Sequence, residues 1–286
     1  MILVTGGYGF IGSNLIHELN RRGYTDIIVV DDLTQGCKYK NLLGAKFTKY
    51  YDVDSFFEEF LDWKHLRAIY HQGAISSTTE TNGKLVMDRN YSFTCKLLYC
   101  ALEFRVPISY ASSASVYGNK LDGSIDPLNL YAYSKSLIDQ VVEKHQDKFK
   151  LIHGWRYFNV YGSREDHKND QASPITKFTR QIEETGKLQL FSGSNKIYRD
   201  FIAVEDVVKV VVDSMQNELK SGIRDLGTGL PVSFETVAHL VIRRYGGEIE
   251  VVPFPEHLKA GYQYLTKADN KTEHNFIKIV DWLNKN

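Results

Sequence analysis

The chain opens on Ile2-Leu3-Val4-Thr5-Gly6-Gly7-Tyr8-Gly9-Phe10-Ile11-Gly12: a strand-sized apolar run, a glycine cluster, then a helical period over Phe10–Arg22. Gly7, Gly9 and Gly12 satisfy the spacing G-x-G-x-x-G, and Gly6, Gly9 and Gly12 the alternative G-x-x-G-x-x-G. Glycines admit positive φ and let the backbone approach a pyrophosphate, which then faces the free amides and positive dipole of a helix N-terminus. A second apolar run, Asp26–Val30, leads to Asp31 and Asp32, 19 and 20 residues beyond Gly12. An acid at that point meets a ribose 2′-hydroxyl. Strand, glycine loop, helix, strand and acid in this order predict a dinucleotide-binding unit. Asp31 repels a 2′-phosphate and favours NAD, whereas Lys38 can pair with that phosphate and favours NADP. Both readings stand.

Working outward, Arg67–His71 and Pro107–Ala111 read as further buried strands with a helix over Lys84–Phe104 between them. Tyr131–Phe149 reads as another helix before the apolar run at Leu151–Trp155. Strands alternating with helices predict an α/β fold, a Rossmann-like doubly wound parallel sheet whose ligand lies at the carboxyl ends of its strands. Past Gly162 the alternation breaks down. Ser163–Ser173 is a polar loop without a core signal, followed by helices at Thr176–Glu184, Val204–Met215 and Phe234–Tyr245, the short segment Gln189–Phe191 and a short helix near Ile277–Leu283. The expected division is a dinucleotide-binding domain over 1–166, with 200–228 returning to it. A smaller, closely packed α/β substrate domain takes 167–199 and 229–286.

Composition narrows the function classes. Of the 286 residues, 35 are Lys or Arg and 35 Asp or Glu, so no global field favours nucleic acid or an anionic membrane. Apolar runs such as Ile27–Val30 fall far short of a membrane span. A motif that begins at residue 2 leaves no room for a signal peptide. Cys37, Cys95 and Cys100 lack metal-ligand spacing and read as reduced thiols of a cytoplasmic protein. No metal is expected. Trp63, Trp155 and Trp282 read as core or interface anchors, not as a base-stacking platform.

Tyr131-Ala132-Tyr133-Ser134-Lys135 places a phenol and an ammonium at i and i+4, on one helix face. A phenol titrates near 10 and is a poor base at neutral pH. A neighbouring ammonium and a cationic nicotinamide stabilise its anion, so Tyr131 can take and return a hydroxyl proton while hydride moves. Upstream, Ser112-Ser113-Ala114-Ser115-Val116-Tyr117-Gly118 follows a buried strand and brings a hydroxyl to the cofactor mouth.

On these residues the chain resembles the extended short-chain dehydrogenases/reductases, whose nucleotide-sugar enzymes use a Ser/Tyr/Lys set. Arg156-Tyr157-Phe158-Asn159-Val160-Tyr161-Gly162, Arg199-Asp200-Phe201 and Leu226-Gly227-Thr228-Gly229 extend the resemblance along the chain. Within that group it resembles the ADP-L-glycero-D-manno-heptose 6-epimerase family. The residues behind this are His71-Gln72-Gly73-Ala74 with Ser76-Ser77-Thr78-Thr79-Glu80, Arg164-Glu165-Asp166-His167-Lys168, Phe191-Ser192-Gly193-Ser194, Pro253-Phe254-Pro255 and Lys259-Ala260-Gly261-Tyr262-Gln263.

The resemblance implies an isomerase that inverts C6″ of an ADP-activated heptose through a transient ketone, with bound NADP, or NAD as the alternative. The catalytic set it implies is Ser113, Tyr131 and Lys135, with Lys168 as a second acid/base group. Cofactor positions carried over are Gly6, Gly9, Phe10, Ile11, Gly12, Asp31, Asp32, Lys38, Val53, Gln72, Gly73, Ala74, Ile75, Ser76, Asn90, Lys135 and Val160. On the sugar-nucleotide side they are Ser76, Asn159, Asp170, Lys177, Phe191, Ser192, Gly193, Ser194, Arg199 and Tyr262. A homo-oligomer, with a pentamer as one form, and a role in surface polysaccharide (lipopolysaccharide) assembly also rest on the resemblance.

The chain departs from the family pattern in three places. Asn169-Asp170-Gln171 follows the His-Lys pair where a small Gly-Ser pair is usual, the C-terminal region is short, and Cys37 and Val53 replace more polar residues. Two other readings stand beside the 6-epimerase: another nucleotide-sugar epimerase or reductase, of which a 4-epimerase would not need Lys168, and a non-catalytic dinucleotide-binding protein. Ala114-Ser115 lacks the Asp-Glu pair a 4,6-dehydratase wants.

Overall fold

Ile2–Thr5 is mostly apolar, with β-branched Ile2, Val4 and Thr5, and is wholly buried, as a strand covered on both faces must be. In the computed structural model, which describes residues 1–217, 219–256, 262–269 and 276–286, it is β1, an interior strand of a seven-stranded sheet. The strands are β1 (Ile2–Thr5), β2 (Ile27–Asp31), β3 (Lys49–Asp52), β4 (Ala68–His71), β5 (Ile108–Ser113), β6 (Ile152–Tyr157), β7 (Asn159–Tyr161), β8 (Lys187–Phe191), β9 (Tyr198–Arg199), β10 (Phe201–Ala203), β11 (Gly222–Leu226), β12 (Val232–Ser233) and β13 (Glu248–Val252). The helices are α1 (Phe10–Arg21), α2 (Phe56–Glu59), α3 (Gly83–Val86), α4 (Phe93–Glu103), α5 (Leu130–His145), α6 (Pro174–Thr185), α7 (Val204–Gln216), α8 (Phe234–Tyr245) and, in the C-terminal stretch, α9 (Ile279–Lys285).

The sheet runs β11-β6-β5-β4-β1-β2-β3, and β1 pairs in parallel with both β2 and β4. The chain builds outward from β1 to β2 and β3, then crosses back to β4, so the strand order reverses between β1 and β4. A doubly wound sheet binds its ligand at such a switch point.

Contacts divide the chain into two units. The first holds residues 1–113, 129–156 and 208–224, and the second 114–128, 157–207 and 225–286. The change at Tyr157 lies ahead of the boundary read from the sequence at 166. Of the returning segment 200–228, residues 208–224 join the first unit, because the chain there delivers β11 to the sheet edge beside β6. The first unit's core combines strand residues such as Leu3, Ile69 and Ile108 with an aromatic group of Phe56, Phe60, Trp63 and Phe93. The second unit has its own core of Tyr161, Ile175, Leu188, Phe201 and Val237, formed where α6 and α8 meet the parallel pair β8 and β13.

Three local features differ from the sequence reading. The helix expected over Lys84–Phe104 is α3 and α4 joined by a π-turn, Met87–Ser92. That insertion turns Asn90 into the protein interior, where it is fully buried. The polar stretch Ser163–Ser173 holds a short 3-10 turn, Asp166–Gln171, and the buried carboxylate of Glu165. Strands β3, β7, β9 to β11, β12 and β13 carry too few residues or too little apolar pattern to be read from sequence. Tyr262 and Gln263 are described, whereas the Lys259-Ala260-Gly261 part of its motif lies outside the described residues. None of the described helices is long and apolar enough to cross a membrane, and no cluster of metal-ligating side chains occurs among the described residues.

Candidate active site

The glycine loop sits at the switch point. Gly6 has φ +65°, and a Cβ placed there would come within 2.5 Å of the Gly73 amide nitrogen. The turns after β1 and β4 therefore meet backbone to backbone, and only glycine fits. A Cβ on Gly12 would overlap the Gly6 carbonyl oxygen. Gly9, the N-cap of α1, offers no side-chain acceptor to the helix amides. With no side chain capping them, those amides and the helix dipole suit a pyrophosphate.

Asp31, at the end of β2, is turned inward and 6% exposed. Its carboxylate accepts from the Tyr8 amide (2.7 Å), the Asp32 amide (2.7 Å) and Lys38 Nζ (2.5 Å). The sequence reading treated Asp31 and Lys38 as rivals for the ribose. They are instead an ion pair, and Lys38 also donates to the Asp32 carbonyl (2.7 Å). Val53 packs against the first unit's core, and its amide donates to the Asp31 carbonyl (3.2 Å).

Asn90 braces the segment after β4. Its Oδ1 accepts from the Ile75 amide (2.8 Å), while Nδ2 donates to the Ile75 carbonyl and to Ser134 Oγ (both 3.0 Å). Ser134 in turn donates to the Tyr131 carbonyl (2.7 Å). The π-turn thus ties the Gln72-Gly73-Ala74-Ile75-Ser76 segment to the start of α5. His71 lies beneath it, between Thr5 Oγ1 (2.5 Å) and Thr94 Oγ1 (2.7 Å). Thr94 donates to the Asn90 carbonyl (2.5 Å), so it accepts from His71 Nε2–H and leaves Nδ1 to accept from Thr5. Complete burial pushes His71 down to about 3, and the positive Lys135 adds to this.

Helix α5 starts at an Asn129 cap, whose side chain accepts from the Ala132 amide. It presents Tyr131 and Lys135 on the face toward β5. Tyr131 is hydrogen-bonded to Ser113, and Lys135 Nζ donates to the Ala111 carbonyl (2.7 Å), 5.9 Å from the Tyr131 ring centre. Ser113, Tyr131 and Lys135 are thus brought together as expected. Burial lowers Lys135 to about 8, with Asp139 pulling it back up. The Tyr131 phenol is shifted by its surroundings. Burial raises it, the Ser113 hydrogen bond lowers it, and the charge of Asp139 raises it further.

In the second unit, Lys168 follows Glu165 by one turn and lies 3.7 Å from it. Glu165 also accepts from the Ser173 amide and hydroxyl (both 2.8 Å) and from Thr176 Oγ1 (2.7 Å). Lys168 therefore belongs to a built turn anchored under the N-terminus of α6. Left-handed Arg164 (φ 70°) and Asn169 (φ 46°) bound that turn. Asp170 is exposed, and its carbonyl accepts from Lys177 (3.4 Å).

Arg199 is buried, and no carboxylate lies within ion-pair distance of it among the described residues. Its guanidinium donates to the carbonyls of Tyr198 and Gln263 and lies over the rings of Tyr262 (5.2 Å) and Phe234 (5.6 Å). Burial lowers its pKa. Tyr262 meets Phe254 at 5.0 Å, and Phe254 meets Phe191 at 5.5 Å. A buried cation flanked by a row of aromatic rings offers charge to a phosphate and a face to a base or sugar. Ser192 and Gly193 are exposed beside that row, Ser194 is buried, and Asn159 and Val160 lie in β7.

Asp200 does not pair with Arg199. It is buried and accepts from the Thr228 amide and hydroxyl and from the amides of Gly229 and Ala268. Glu165, Asp200 and Asp139 are the buried carboxylates that sequence reading did not assign. Glu165 and Asp200 sit in motifs and Asp139 lies one turn beyond Lys135, yet only packing shows which donors converge on each.

Comparison with known proteins agrees with the resemblance read from the motifs. Residues 2–226 match the NAD dependent epimerase/dehydratase family. An ADP-L-glycero-D-manno-heptose-6-epimerase from Alkalilimnicola ehrlichii is 45% identical over 284 residues, spanning 94% of this chain and 89% of that protein. The crystal structure of the Helicobacter pylori ADP-L-glycero-D-manno-heptose-6-epimerase superposes with a TM-score of 0.80 at 28% identity, covering 99% of this chain and 93% of that one. UDP-glucose 4-epimerase from Thermus thermophilus, in complex with NAD, gives a TM-score of 0.78 at 25% identity over 94% and 90% of the two chains. With the glycine loop at the switch point, the Ser-Tyr-Lys cluster on β5 and α5, and this similarity along nearly its whole length, the chain belongs to the NAD dependent epimerase/dehydratase family.

Proposed function

We propose that the protein is a nucleotide-sugar 6-epimerase that interconverts ADP-D-glycero-D-manno-heptose and its L-glycero form with a tightly held nicotinamide dinucleotide. The observation that carries this reading is a complete Ser113–Tyr131–Lys135 cluster in a chain 45% identical to an enzyme of that name. In this reading the first unit is the dinucleotide-binding part and the second takes the sugar nucleotide.

The residues fit the cofactor: Gly6 and Gly12 let the loop close tightly against Gly73 and on itself, and the start of α1, with no side-chain cap, supplies amides for a pyrophosphate. NADP is our first choice. The Asp31 charge that would repel a 2′-phosphate is already met by Lys38 and two amides, and NAD is the alternative. When bound, the nicotinamide would supply the acceptor and donor for the C6″ hydride and a positive charge beside the Tyr131 phenol. Tyr131 takes the C6″ hydroxyl proton as the ketone forms, with Ser113 donating to the same oxygen. Lys135 holds the cofactor ribose and favours the phenolate.

Inversion requires a proton to be exchanged with the carbonyl oxygen in a second orientation, and Lys168 is our candidate for that exchange. Its anchoring to Glu165 supports the choice, because an acid/base group needs a fixed position. Arg199 is the candidate diphosphate clamp, with Tyr262 and Phe191 beside it. Asp170 marks where the sugar contacts of this chain would differ. We further propose a cytoplasmic homo-oligomer acting in surface polysaccharide assembly.

Proton NMR of ADP-D-glycero-D-manno-heptose incubated with the protein, without added cofactor, tests the reading. The L-glycero signals are expected to appear, and to be lost in Tyr131→Phe and Lys168→Met. No conversion by cofactor-loaded protein overturns the 6-epimerase assignment. Conversion retained in Lys168→Met alone would point to an epimerase with one acid/base group.

A further inference from the structure

Four consecutive residues of β5 hold one face of α5. The Tyr110 hydroxyl donates to Asp139 Oδ1 (2.9 Å), the Ala111 carbonyl accepts from Lys135 (2.7 Å), the Ser112 hydroxyl donates to Asp139 Oδ2 (2.9 Å), and Ser113 bonds Tyr131. Tyr131, Lys135 and Asp139 recur every four residues, so they lie on one stripe of the helix. Asp139 is 1% exposed, and its third partner is Arg156 Nε on β6, at 2.8 Å. Neither Tyr110 nor Ser112 has an assigned part in the reaction, and both are aimed at Asp139.

We propose that Asp139 is a positioning residue for the Tyr131–Lys135 pair: it pins the reactive face of α5 to β5 and supplies the negative charge one turn beyond Lys135. The proposal rests on the reading of Tyr131 and Lys135 as the acid/base pair. It assigns Asp139 no contact with substrate or cofactor.

Other ionisable groups around this face are accounted for. His71, on β4, is neutral. Glu143 reaches Arg156 at 3.4 Å from the exposed side of α5. On the segment that packs against α5, Lys84 pairs with Asp88, and Arg89 pairs with Asp54. Asp139 and Arg156 are thus the charges that bear directly on the stripe. Asp139 works against the burial of Lys135 and with the burial of Tyr131, raising both groups. Removing its charge must lower both together.

The test is Asp139→Asn, read by the pH dependence of kcat/KM. Both limbs should move toward acid by about one pH unit, the size expected for losing one nearby opposite charge. The tyrosinate absorbance assigned to Tyr131, from the difference against Tyr131→Phe in the same background, should move with them. Arg156→Gln is the second variant: it leaves the carboxylate uncompensated, so both limbs should move toward alkali. It also serves if Asp139→Asn does not fold. A fall in kcat with limbs and absorbance unmoved in both variants overturns the proposal and leaves Asp139 a packing residue. Undiminished turnover in Tyr131→Phe would instead overturn the reaction reading, while Arg156→Gln, read by the Tyr131 absorbance, still decides the role of Asp139.

Discussion

Asp200→Ala should cost the second unit roughly 3–5 kcal/mol, because the carboxylate is a hub for three backbone amides. Its oxygens accept from the Thr228 amide (2.7 Å), the Gly229 amide (2.8 Å), the Ala268 amide (2.9 Å) and the Thr228 hydroxyl (2.6 Å). The side chain is fully buried. Truncation strands three amides at about 1–3 kcal/mol each, and a water admitted to the cavity recovers part of that. Asp200→Asn should cost less, about 2 kcal/mol. Turned with its amide group toward Thr228, it opposes one backbone donor, and the hydroxyl there can rotate to accept. Urea unfolding, followed by tryptophan fluorescence and far-ultraviolet circular dichroism, measures both. An alanine variant within 1 kcal/mol of the parent, or Asn as damaging as Ala, would refute the convergence argument.

Gly12→Ala should yield protein purified without dinucleotide, because its Cβ overlaps the rigid Gly6 carbonyl; Gly36→Ala, in open space, should keep it. Absorbance of the cofactor released on denaturation reads both. His71 sets an acid limit to stability. Its folded pKa of about 3 lies below the unfolded value near 6.5, so the unfolded chain binds the proton first. Stability is full above about pH 6.5 and falls by up to about 1.4 kcal/mol per pH unit below it. Urea unfolding from pH 7 to 5 should show this slope, reduced by about one proton in His71→Gln. Arg199→Met should leave stability within about 1 kcal/mol, since removing a buried cation that has no carboxylate partner among the described residues offsets the loss of its bonds to the Tyr198 and Gln263 carbonyls. It should weaken nucleotide-sugar binding by roughly tenfold to a hundredfold in calorimetry, and a large stability loss with unchanged binding would make Arg199 structural.

The first unit was legible because its signals are local. The loop Gly6–Gly12 needs glycine for steric reasons that hold wherever a strand turns into a helix around a phosphate. Tyr131 and Lys135 share a face because a helix repeats every 3.6 residues. Phe234–Tyr245 was read with its observed ends because a Ser233 cap and a Gly246 stop bracket its apolar period. The second unit resisted, since strands of two or three residues such as β9 and β12 exist only through their partners.

By itself, then, the sequence determined the βαβ dinucleotide unit, the Ser113–Tyr131–Lys135 set and the kinship with sugar-nucleotide epimerases, all encoded in short-range spacing. Tertiary structure alone decided how the charges are distributed. Asp31 and Lys38 became partners instead of rivals, Asp200 turned from Arg199 to three backbone amides, and Glu165 left an apparently solvated loop to anchor Lys168. Each of these depends on desolvation and on donors brought together from distant segments. The cost of burying a charge, and the partners that offset it, are set by packing and not by neighbours along the chain.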